Sequence, residues 1–391
     1  MYPNMPESDA DLVPLPRCDG PKLKPFKFNG PQKIKFLDFV GEGSHSYVFK
    51  VEIHGKIYAL KLFRFVNDED WDGPVMLDRE DRDFREDAQI MNIFAEYSEP
   101  FYCECRAYGR LKETGREDLT VKSFGYIFLN EEHERIMMKQ FGNHSLYFNG
   151  SMDNESSDEW NRCRFVGKDE RAPPIRGIVK ELGQGTENLT TPLAKSLLKD
   201  IKEFQRLGII SLDVALRQVI NGKLSDFSQA ITIPHYRTNP ELNPNPLPPK
   251  LACLIWPDIF SFSSRDYWNF DDMVNEWNED NNGNIKVYAN PGGKGCDPKH
   301  QYNLRKKTMY TFVDPRKLEG VKKKRKREMW VIQADEDMIR RFRGGRGGVH
   351  LFWGLRDGYI VPKIGRCPSY KILEFRPTFC SPSPTLPNFT S

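Results

Sequence analysis

The segment from Gly208 to Ser228 constrains this chain more than any other, because it fixes two aspartates around one short hairpin. Asp213 follows a short apolar run, and Asp226 follows Asn221-Gly222, a pair typical of a tight turn between strands. Phosphoryl transfer uses two such carboxylates: one orients the acceptor hydroxyl, and the other holds magnesium on the nucleotide phosphates. The segment therefore predicts a hairpin that presents two carboxylates with different roles.

The order of these residues resembles the catalytic segment of protein kinases, in which H-R-D, four residues and Asn are followed by D-F-G. The resemblance assigns Asp213 as catalytic base and Asp226 as a metal ligand. Gln218 stands at the Asn position, so it is the second candidate metal ligand, and Ser228 replaces the closing Gly. The cofactors that this assignment implies are ATP and Mg²⁺, bound weakly or not at all.

A phosphate-binding loop is indicated nearer the N-terminus. Three alternating runs between residues 34 and 65 predict a three-stranded antiparallel meander. Its first turn fits the kinase pattern G-x-G-x-x-G-x-V, with Gly41, Gly43, Ser46 and Val48 as candidate nucleotide-binding residues. Two glycines between strands are more often a plain hairpin turn, so this loop gains meaning only from the motifs that follow it.

Lys61 lies inside an apolar strand, where an ammonium needs a partner. In a kinase its partners are phosphates and a glutamate on the next helix. Glu104 is the candidate, on a helix predicted through residues 104–111, and Glu96 and Glu99 are alternatives. A lysine that reaches water from an edge strand is the plainer explanation. Glu181 falls where a kinase hinge would contact the nucleotide.

The motifs occur in kinase order, so we predict an α+β, protein-kinase-like two-lobed fold with an antiparallel-sheet N-lobe and a mostly helical C-lobe. A helix is predicted from Pro192 to Leu207, capped by Thr191, and Asp266 is predicted to open a later helix. The predicted divisions are an extended lead-in at 1–30, an N-lobe at 31–185 with insertions near 67–100 and 143–174, a reduced C-lobe at 186–290, and a disordered basic, Gly-rich and Ser/Pro-rich region at 291–391.

The departures from the kinase pattern favour a pseudokinase. Ser211 and Leu212 replace the His and Arg of H-R-D. Gln218 lengthens a magnesium ligand by one methylene, and magnesium tolerates little departure from octahedral geometry. Two alternatives stay open. One is an active ATP- and Mg²⁺-dependent kinase of a protein or small molecule, and the other is a chromatin- or RNA-associated protein that acts through its basic tail.

Several longer sequence segments resemble those of one protein family, which is a narrower group than the kinases. The segments Met1–Pro16, Gly30–Ile34, Tyr58–Phe65, Ser98–Ala107, Pro174–Glu181 and Lys223–Ser228 are similar to those of the fungal kinetochore Sim-four complex subunit Fta-two family. The resemblance covers about residues 1–300. It implies a kinase-like domain in a fungal protein, a nuclear, centromere-associated role and other kinetochore proteins as partners.

The C-terminal region carries two basic motifs. Lys322–Arg327 is an uninterrupted basic run, typical of binding to a nuclear import receptor or of nucleic-acid contact. Arg343-Gly-Gly-Arg346-Gly-Gly is a two-copy element of the kind that binds RNA loosely. A solvated linker is the alternative for both.

The composition of the chain limits the cellular compartments in which we expect it. The net charge of +3 is too small for general polyanion binding, so a nucleic-acid role must depend on these local clusters. The eight cysteines form no C-x-x-C pair and indicate reduced thiols. No apolar run approaches the ~20 residues of a membrane helix. These features indicate a cytosolic or nuclear protein with no membrane partner. The family resemblance and the basic run imply the nucleus, with the cytoplasm also open.

Overall fold

A computed structural model of the chain describes most of residues 11–289. The described residues are 11–66, 88–148, 171–239 and 255–289, four strands between 310 and 365, and residues 6, 8, 162, 242 and 243. No described helix is long and apolar enough to cross a lipid bilayer. Part of the predicted insertions, Lys322–Arg327 and Arg343–Arg346 lie outside the described residues.

Five strands form one antiparallel sheet in the order β1-β2-β3-β5-β4. They are β1 Lys35–Gly43, β2 Ser46–Ile53, β3 Lys56–Phe63, β4 Ser123–Phe128 and β5 Arg176–Lys180. The first three confirm the predicted meander. Because side chains alternate across a strand, each strand sends one set of residues to each face of the sheet.

The described part of the chain contains five α-helices, so the predicted mixture of helices and an antiparallel sheet is confirmed. They are α1 Ala88–Ser98, α2 Pro100–Glu113, α3 Glu131–Gln140, α4 Thr191–Arg206 and α5 Ile255–Asp280. Pro100 explains the break between α1 and α2, since proline disfavours a helical residue before it and suits a first turn.

Three details of the helix predictions need correction. α2 contains Glu104 as predicted but begins earlier, at Pro100. The cap of α4 is Thr190, whose hydroxyl accepts the Leu193 N–H, so Thr191 is the first helical residue. Asp266 lies in the interior of α5 and does not open it, because the apolar pattern that supports this helix begins further upstream.

Short strands after α4 position the two aspartates. Strand β6 Ile209–Ile210 pairs with β9 Ile231–Thr232, and β7 Val219–Ile220 pairs with β8 Lys223–Leu224. The turn between β7 and β8 places Asn221 and Gly222 at φ of 50° and 74°. Both residues take the left-handed conformation that a two-residue hairpin needs, which confirms the predicted tight turn.

Both faces of the sheet are covered. One apolar cluster joins residues of α2, α4, α5 and the loops around the aspartates, and a second joins the opposite face of the sheet to α3. The lead-in also packs here. Leu15 and Leu23 are buried, and the Phe26 N–H donates to the Tyr126 carbonyl on β4 at 2.8 Å. The lead-in therefore covers the free edge of β4, a position that would otherwise expose unpaired backbone groups.

A second sheet lies in the C-terminal region. Its strands are β10 Tyr310–Val313, β11 Met329–Ile332, β12 His350–Arg356 and β13 Tyr359–Gly365, in the order β10-β11-β13-β12. The prediction of a disordered region at 291–391 does not hold for these four segments. Each is a short run rich in aromatic and β-branched residues, a composition that favours strands, but the basic and Gly-rich stretches between them dominate the local pattern.

Candidate functional site

The candidate site is built on the inner face of the sheet. In the register of β2, β3 and β5, Val48 pairs with Lys61, and Ala59 pairs with Lys180. The neighbouring residues of these strands, such as Leu60 and Val179, belong to the cluster on the opposite face. Alternation therefore brings Val48, Ala59, Lys61 and Lys180 to one face. This face combines small apolar side chains with two ammonium groups.

Four charged side chains form one network at the centre of the site. Lys61 Nζ lies 2.7 Å from Glu104 Oε2 and 2.7 Å from Asp226 Oδ1. Lys180 Nζ lies 2.8 Å from Glu104 Oε1 and also donates to the Ser225 carbonyl. The predicted pairing of Lys61 with Glu104 is therefore present, and Lys61, Glu104 and Asp226 are brought together. Glu104 contacts one lysine through each of its two oxygens.

The charges of this network are strongly coupled. Burial disfavours a charged amine, but the neighbouring carboxylates outweigh that cost, so the pKa of Lys61 and that of Lys180 lie above the ordinary lysine value. Burial likewise opposes ionisation of Asp226, yet the Lys61 and Lys180 ammoniums hold the pKa of that carboxyl below its ordinary value. Both lysines and Asp226 are therefore charged at neutral pH.

Helix α2 holds Glu104 in place through contacts on several sides. At its N-terminus, Glu99 is paired with Arg176 of β5 at 2.8 Å, and both side chains are fully buried. Arg106, about two turns further along the helix, donates to the Asp19 carbonyl of the lead-in at 2.8 Å and to the Thr232 carbonyl of β9 at 3.0 Å. Glu99, an alternative partner for Lys61 in the sequence, is therefore a second anchor between helix and sheet.

Asp213 lies on the other side of the site in a different environment. Both of its carboxylate oxygens accept from Arg217 Nη2 at 2.9 Å, and one also accepts from Gln218 Nε2. The Asp213 side chain is 31% exposed and that of Arg217 69% exposed. Among the described residues no hydrogen bond joins the Asp213 or Gln218 side chain to Asp226. The two sides meet through the backbone, since the Ser225 N–H donates to the Gln218 carbonyl at 3.0 Å.

Asp266 of α5 fixes the backbone that leads into Asp213. Its carboxylate accepts the N–H groups of Ser211 and Leu212 at 3.1 and 2.7 Å and the side-chain amide of Gln205 at 3.1 Å. Leu212 has a φ of 62°, a left-handed conformation that is unfavourable for a residue with a bulky side chain. Burial raises the pKa of Asp266 to about 6, although these hydrogen bonds favour the charged form.

The predicted phosphate loop is the turn between β1 and β2. A Cβ added at Gly41 or Gly43 would meet no atom within 4 Å, so both backbones border open space. Ser46 begins β2, and His45 in the turn lies with Nδ1 3.4 Å from Ser228 Oγ. The loop therefore reaches the segment that follows Asp226. Glu181 lies at the end of β5 with an exposed side chain, and its N–H donates to the Lys122 carbonyl at 2.8 Å.

The two predicted magnesium ligands suit a hard cation. Gln218 Nε2 donates to Asp213, so its Oε1 faces away, and that buried oxygen has no hydrogen-bond partner among the described residues. Asp226 contributes a carboxylate, and oxygen ligands are what magnesium prefers. No described group of three or more His, Cys, Asp or Glu side chains could hold a metal ion. If magnesium bound here, the Asp226 carboxylate and the Gln218 amide oxygen would be its protein ligands, and phosphates and water would complete its coordination, as is common for this ion.

Sequence reasoning missed the contacts of two side chains in the candidate site. Lys180 directly precedes Glu181, the predicted hinge residue, but its side chain lies in the charged network. The signal was a second lysine beside apolar residues, at the end of β5. Asp266 was predicted only as a helix start. A buried acidic residue in an amphipathic helix could have indicated its role, because such a group needs hydrogen-bond donors.

The fold and the site define a mixed α/β protein whose sheet and second helix enclose a buried lysine–glutamate–aspartate network. The model of the family described as kinetochore Sim4 complex subunit FTA2 matches residues 12–231 of this chain. The chain belongs to that family, and the matched residues include the whole network and Asp213. No curated protein matches the chain.

Proposed function

We propose that this chain is a kinetochore-associated interaction module built on a pseudokinase domain, able to bind a nucleotide but not to turn it over efficiently. The observation that carries the proposal is the Lys61–Glu104–Asp226 contact set within a chain of the FTA2 family. Family membership supports the kinetochore role, and the contact set supports the nucleotide cleft. The two halves of the proposal are tested separately below.

The order of helices and strands along the chain supports a kinase-like fold. A meander of three strands is followed by α1 and α2, then by β4, α3 and β5, and β5 inserts between β3 and β4 in the sheet. Glu104 lies on α2. Lys61 on the third strand pairs with a glutamate on that helix, as the lysine and helix glutamate of an active kinase do. The apolar positions Val48 and Ala59 lie beside the two lysines on the same face, which suits a base ring next to phosphates.

The contacts of Asp213 are evidence for weak turnover of the nucleotide. A general base must reach the proton of the acceptor hydroxyl. Here both oxygens of Asp213 are held by Arg217, and Gln218 donates to one of them. The alternative, an active kinase, is favoured by the retention of Asp213, Asp226 and Lys61 themselves.

Nucleotide binding and turnover are measured on the same protein. We expect ATP to raise the melting temperature, since a ligand at 100 times its Kd adds about 2.7 kcal/mol of stability. We expect no steady phosphate transfer to a generic acceptor such as myelin basic protein. Transfer that disappears in Asp213→Asn would contradict the pseudokinase and support the active-kinase alternative.

The anchoring of α2 supports a role in assembly. In kinases the position of the equivalent helix controls activity. Here α2 is held by three buried ion pairs, two at Glu104 and one at Glu99, and by Arg106, which contacts both the lead-in and β9. An element fixed on several sides suits a rigid platform for other subunits better than a switch.

The kinetochore role is tested by localisation. A fluorescently tagged chain should form centromeric foci in nuclei, and Lys61→Ala combined with Asp213→Asn should leave foci intact if turnover is not required. Diffuse nuclear signal for the unaltered protein would contradict the kinetochore assignment. Loss of foci only in the double variant, with folding preserved, would favour the active kinase.

Nuclear entry is a separate part of the proposal. The basic run Lys322–Arg327 would bind an acidic groove of an import receptor through charge, an interaction that salt weakens. Replacing Lys323, Lys324 and Arg325 with Ala should raise the cytoplasmic signal of the tagged protein. Unchanged nuclear accumulation would mean that entry depends on a bound partner or on another segment.

A further inference from the structure

We propose that Lys180 is a built-in cation of the cleft, which allows a nucleoside triphosphate to bind without a divalent metal ion. The inference rests on the proposed function, because it concerns the ligand of the same cleft. It goes beyond that function by assigning a role to a residue outside the kinase pattern and by specifying the ionic form of the ligand.

The position of Lys180 carries the argument. Its Nζ lies 2.8 Å from Glu104 Oε1, donates to the Ser225 carbonyl next to Asp226, and lies 5.1 Å from the centre of the Tyr108 ring. The side chain is 8% exposed. A lysine this buried is held in one place by three kinds of contact, so its charge is a permanent part of the site.

Lys180 changes the charge balance of the network. Lys61, Glu104 and Asp226 alone carry one positive and two negative charges, and a phosphate that approached them would meet a net negative cluster. Divalent cations normally remove that repulsion. With Lys180 the four groups balance, because each oxygen of Glu104 has its own ammonium. Lys61 can then exchange Asp226 for a phosphate oxygen while Glu104 stays neutralised.

The geometry also explains how a phosphate would enter. Asp226 is the most exposed member of the network, at 31% for its side chain against 6% for Lys61. It lies on the open side of Lys61, where a ligand would arrive, whereas Glu104 and Lys180 lie behind. The turn between β1 and β2 approaches the segment after Asp226, since His45 Nδ1 lies 3.4 Å from Ser228 Oγ. The backbone at Gly41 and Gly43, at the end of β1 before this turn, has no atom within 4 Å of an added Cβ. A metal ion could still bind Asp226 and Gln218 once phosphates are present, but the first contact would not require it.

The test compares ATP affinity, by isothermal titration calorimetry, in excess EDTA and in excess MgCl₂. For the unaltered chain we expect the two Kd values to agree within about fivefold. In Lys180→Met we expect the metal-free affinity to fall at least about tenfold, as loss of a nearby buried charge predicts, with partial recovery in MgCl₂. Lys35→Met removes an exposed lysine that also contacts a glutamate, Glu52 at 3.6 Å, and should leave both values unchanged.

Two further variants keep the test decisive. Lys180→Arg retains the charge and should bind ATP without metal. Lys180→Met with Glu104→Gln removes one charge of each sign, so metal-free binding should recover if charge balance is the cause. This pair also relieves the unpaired carboxylate that could unfold the single variant, and circular dichroism checks folding.

The outcomes separate the two proposals. ATP binding by the unaltered chain only in MgCl₂ would overturn the role of Lys180 and leave the nucleotide cleft standing. No binding under either condition would overturn both. Unchanged metal-free affinity in Lys180→Met would mean that the lysine only clamps Glu104, and the inference would fail.

Discussion

The two sides of the cleft differ in how they hold their charges. On the Lys61 side, Lys61, Lys180 and Glu104 are almost fully buried, and their ion pairs span the sheet and α2. On the Asp213 side, the carboxylate is partly exposed and its main partner, Arg217, lies four residues along the same segment. The ion pairs on the Lys61 side depend on the packing of distant elements, whereas the side chain of Asp213 pairs with neighbours in sequence.

This difference affects how much each side of the site contributes to the stability of the fold. Buried ion pairs cannot lose one partner cheaply, because the remaining charge would be stranded in a low-dielectric interior. An exposed pair has water as an alternative partner and contributes little. The side that would bind phosphate is therefore integral to stability, and the side that would activate an acceptor hydroxyl can vary without cost to the fold.

The largest effect is expected for Glu104→Ala. The change strands Lys180 and leaves Lys61 with Asp226 alone, so we expect the free energy of unfolding to fall by about 3–5 kcal/mol. Urea denaturation followed by circular dichroism measures it. Glu52→Ala, which removes the exposed partner of Lys35, is the control and should cost less than about 1 kcal/mol. Equal losses in the two variants would abolish the contrast between a buried and an exposed network.

Asp226→Asn comes next, with a cost of about 2–3 kcal/mol at pH 7, the range for a hydrogen bond to a charged group. Its pH dependence is specific. The lysines hold the pKa of the folded-state carboxyl below its ordinary value, so this stability is present above the unfolded-state pKa of about 3.9 and is lost as pH falls through the folded-state pKa. The gap in urea midpoint between the variant and the unaltered chain should stay constant from pH 7 to about pH 4 and should narrow only below that pH. A gap that does not narrow between about pH 4 and pH 2 would mean that the carboxylate is not the source.

Gly109→Ala tests whether the lead-in helps to hold α2. A Cβ at Gly109 would lie 2.6 Å from the backbone nitrogen of Lys22, so the lead-in must shift. Overpacking costs about 1–3 kcal/mol, and alanine returns about 0.5–1 kcal/mol of helix propensity, so we expect a net loss of about 1–2 kcal/mol. Gly142→Ala, with no atom within 4 Å of its added Cβ, is the matched control. A stabilised Gly109→Ala would show that the lead-in is not tightly packed there.

The sequence predicted the parts of this cleft that local patterns specify. Alternation over residues 34–65 predicted the meander, Asn221-Gly222 predicted the hairpin, and the Lys61–Glu104 pair followed from the order of motifs. Lys180 was missed because its role depends on which strand lies beside β3, a long-range pairing that no local pattern specifies. The same holds for Glu99 and Arg176, which meet only when α2 packs on the sheet.

For the Asp213 side, the sequence predicted which residues lie there but not which contacts they make. The kinase pattern identified Asp213 and Gln218, and it could not predict that they bond to each other. The left-handed Leu212 was equally hidden, since glycine and asparagine are the residues that normally signal such a backbone. Asp266, from a helix distant in sequence, holds that conformation through the Leu212 N–H.

The smallest effect is expected for Arg217→Ala, which tests the Asp213 side alone. Because the pair is exposed and joins residues four apart, its loss should change the free energy of unfolding by less than about 0.5 kcal/mol. Phosphate transfer should stay absent, since Gln218 still donates to Asp213 and the Ser211-Leu212 backbone is unchanged. A radiolabelled ATP transfer assay measures it, with Arg217→Lys as the control that keeps a positive charge. If Arg217→Ala alone transferred phosphate, the residues needed for catalysis would all be present, and the contact of Arg217 with Asp213 would be what blocks them. The difference in activity between the two sides of the site would then depend on Arg217 alone.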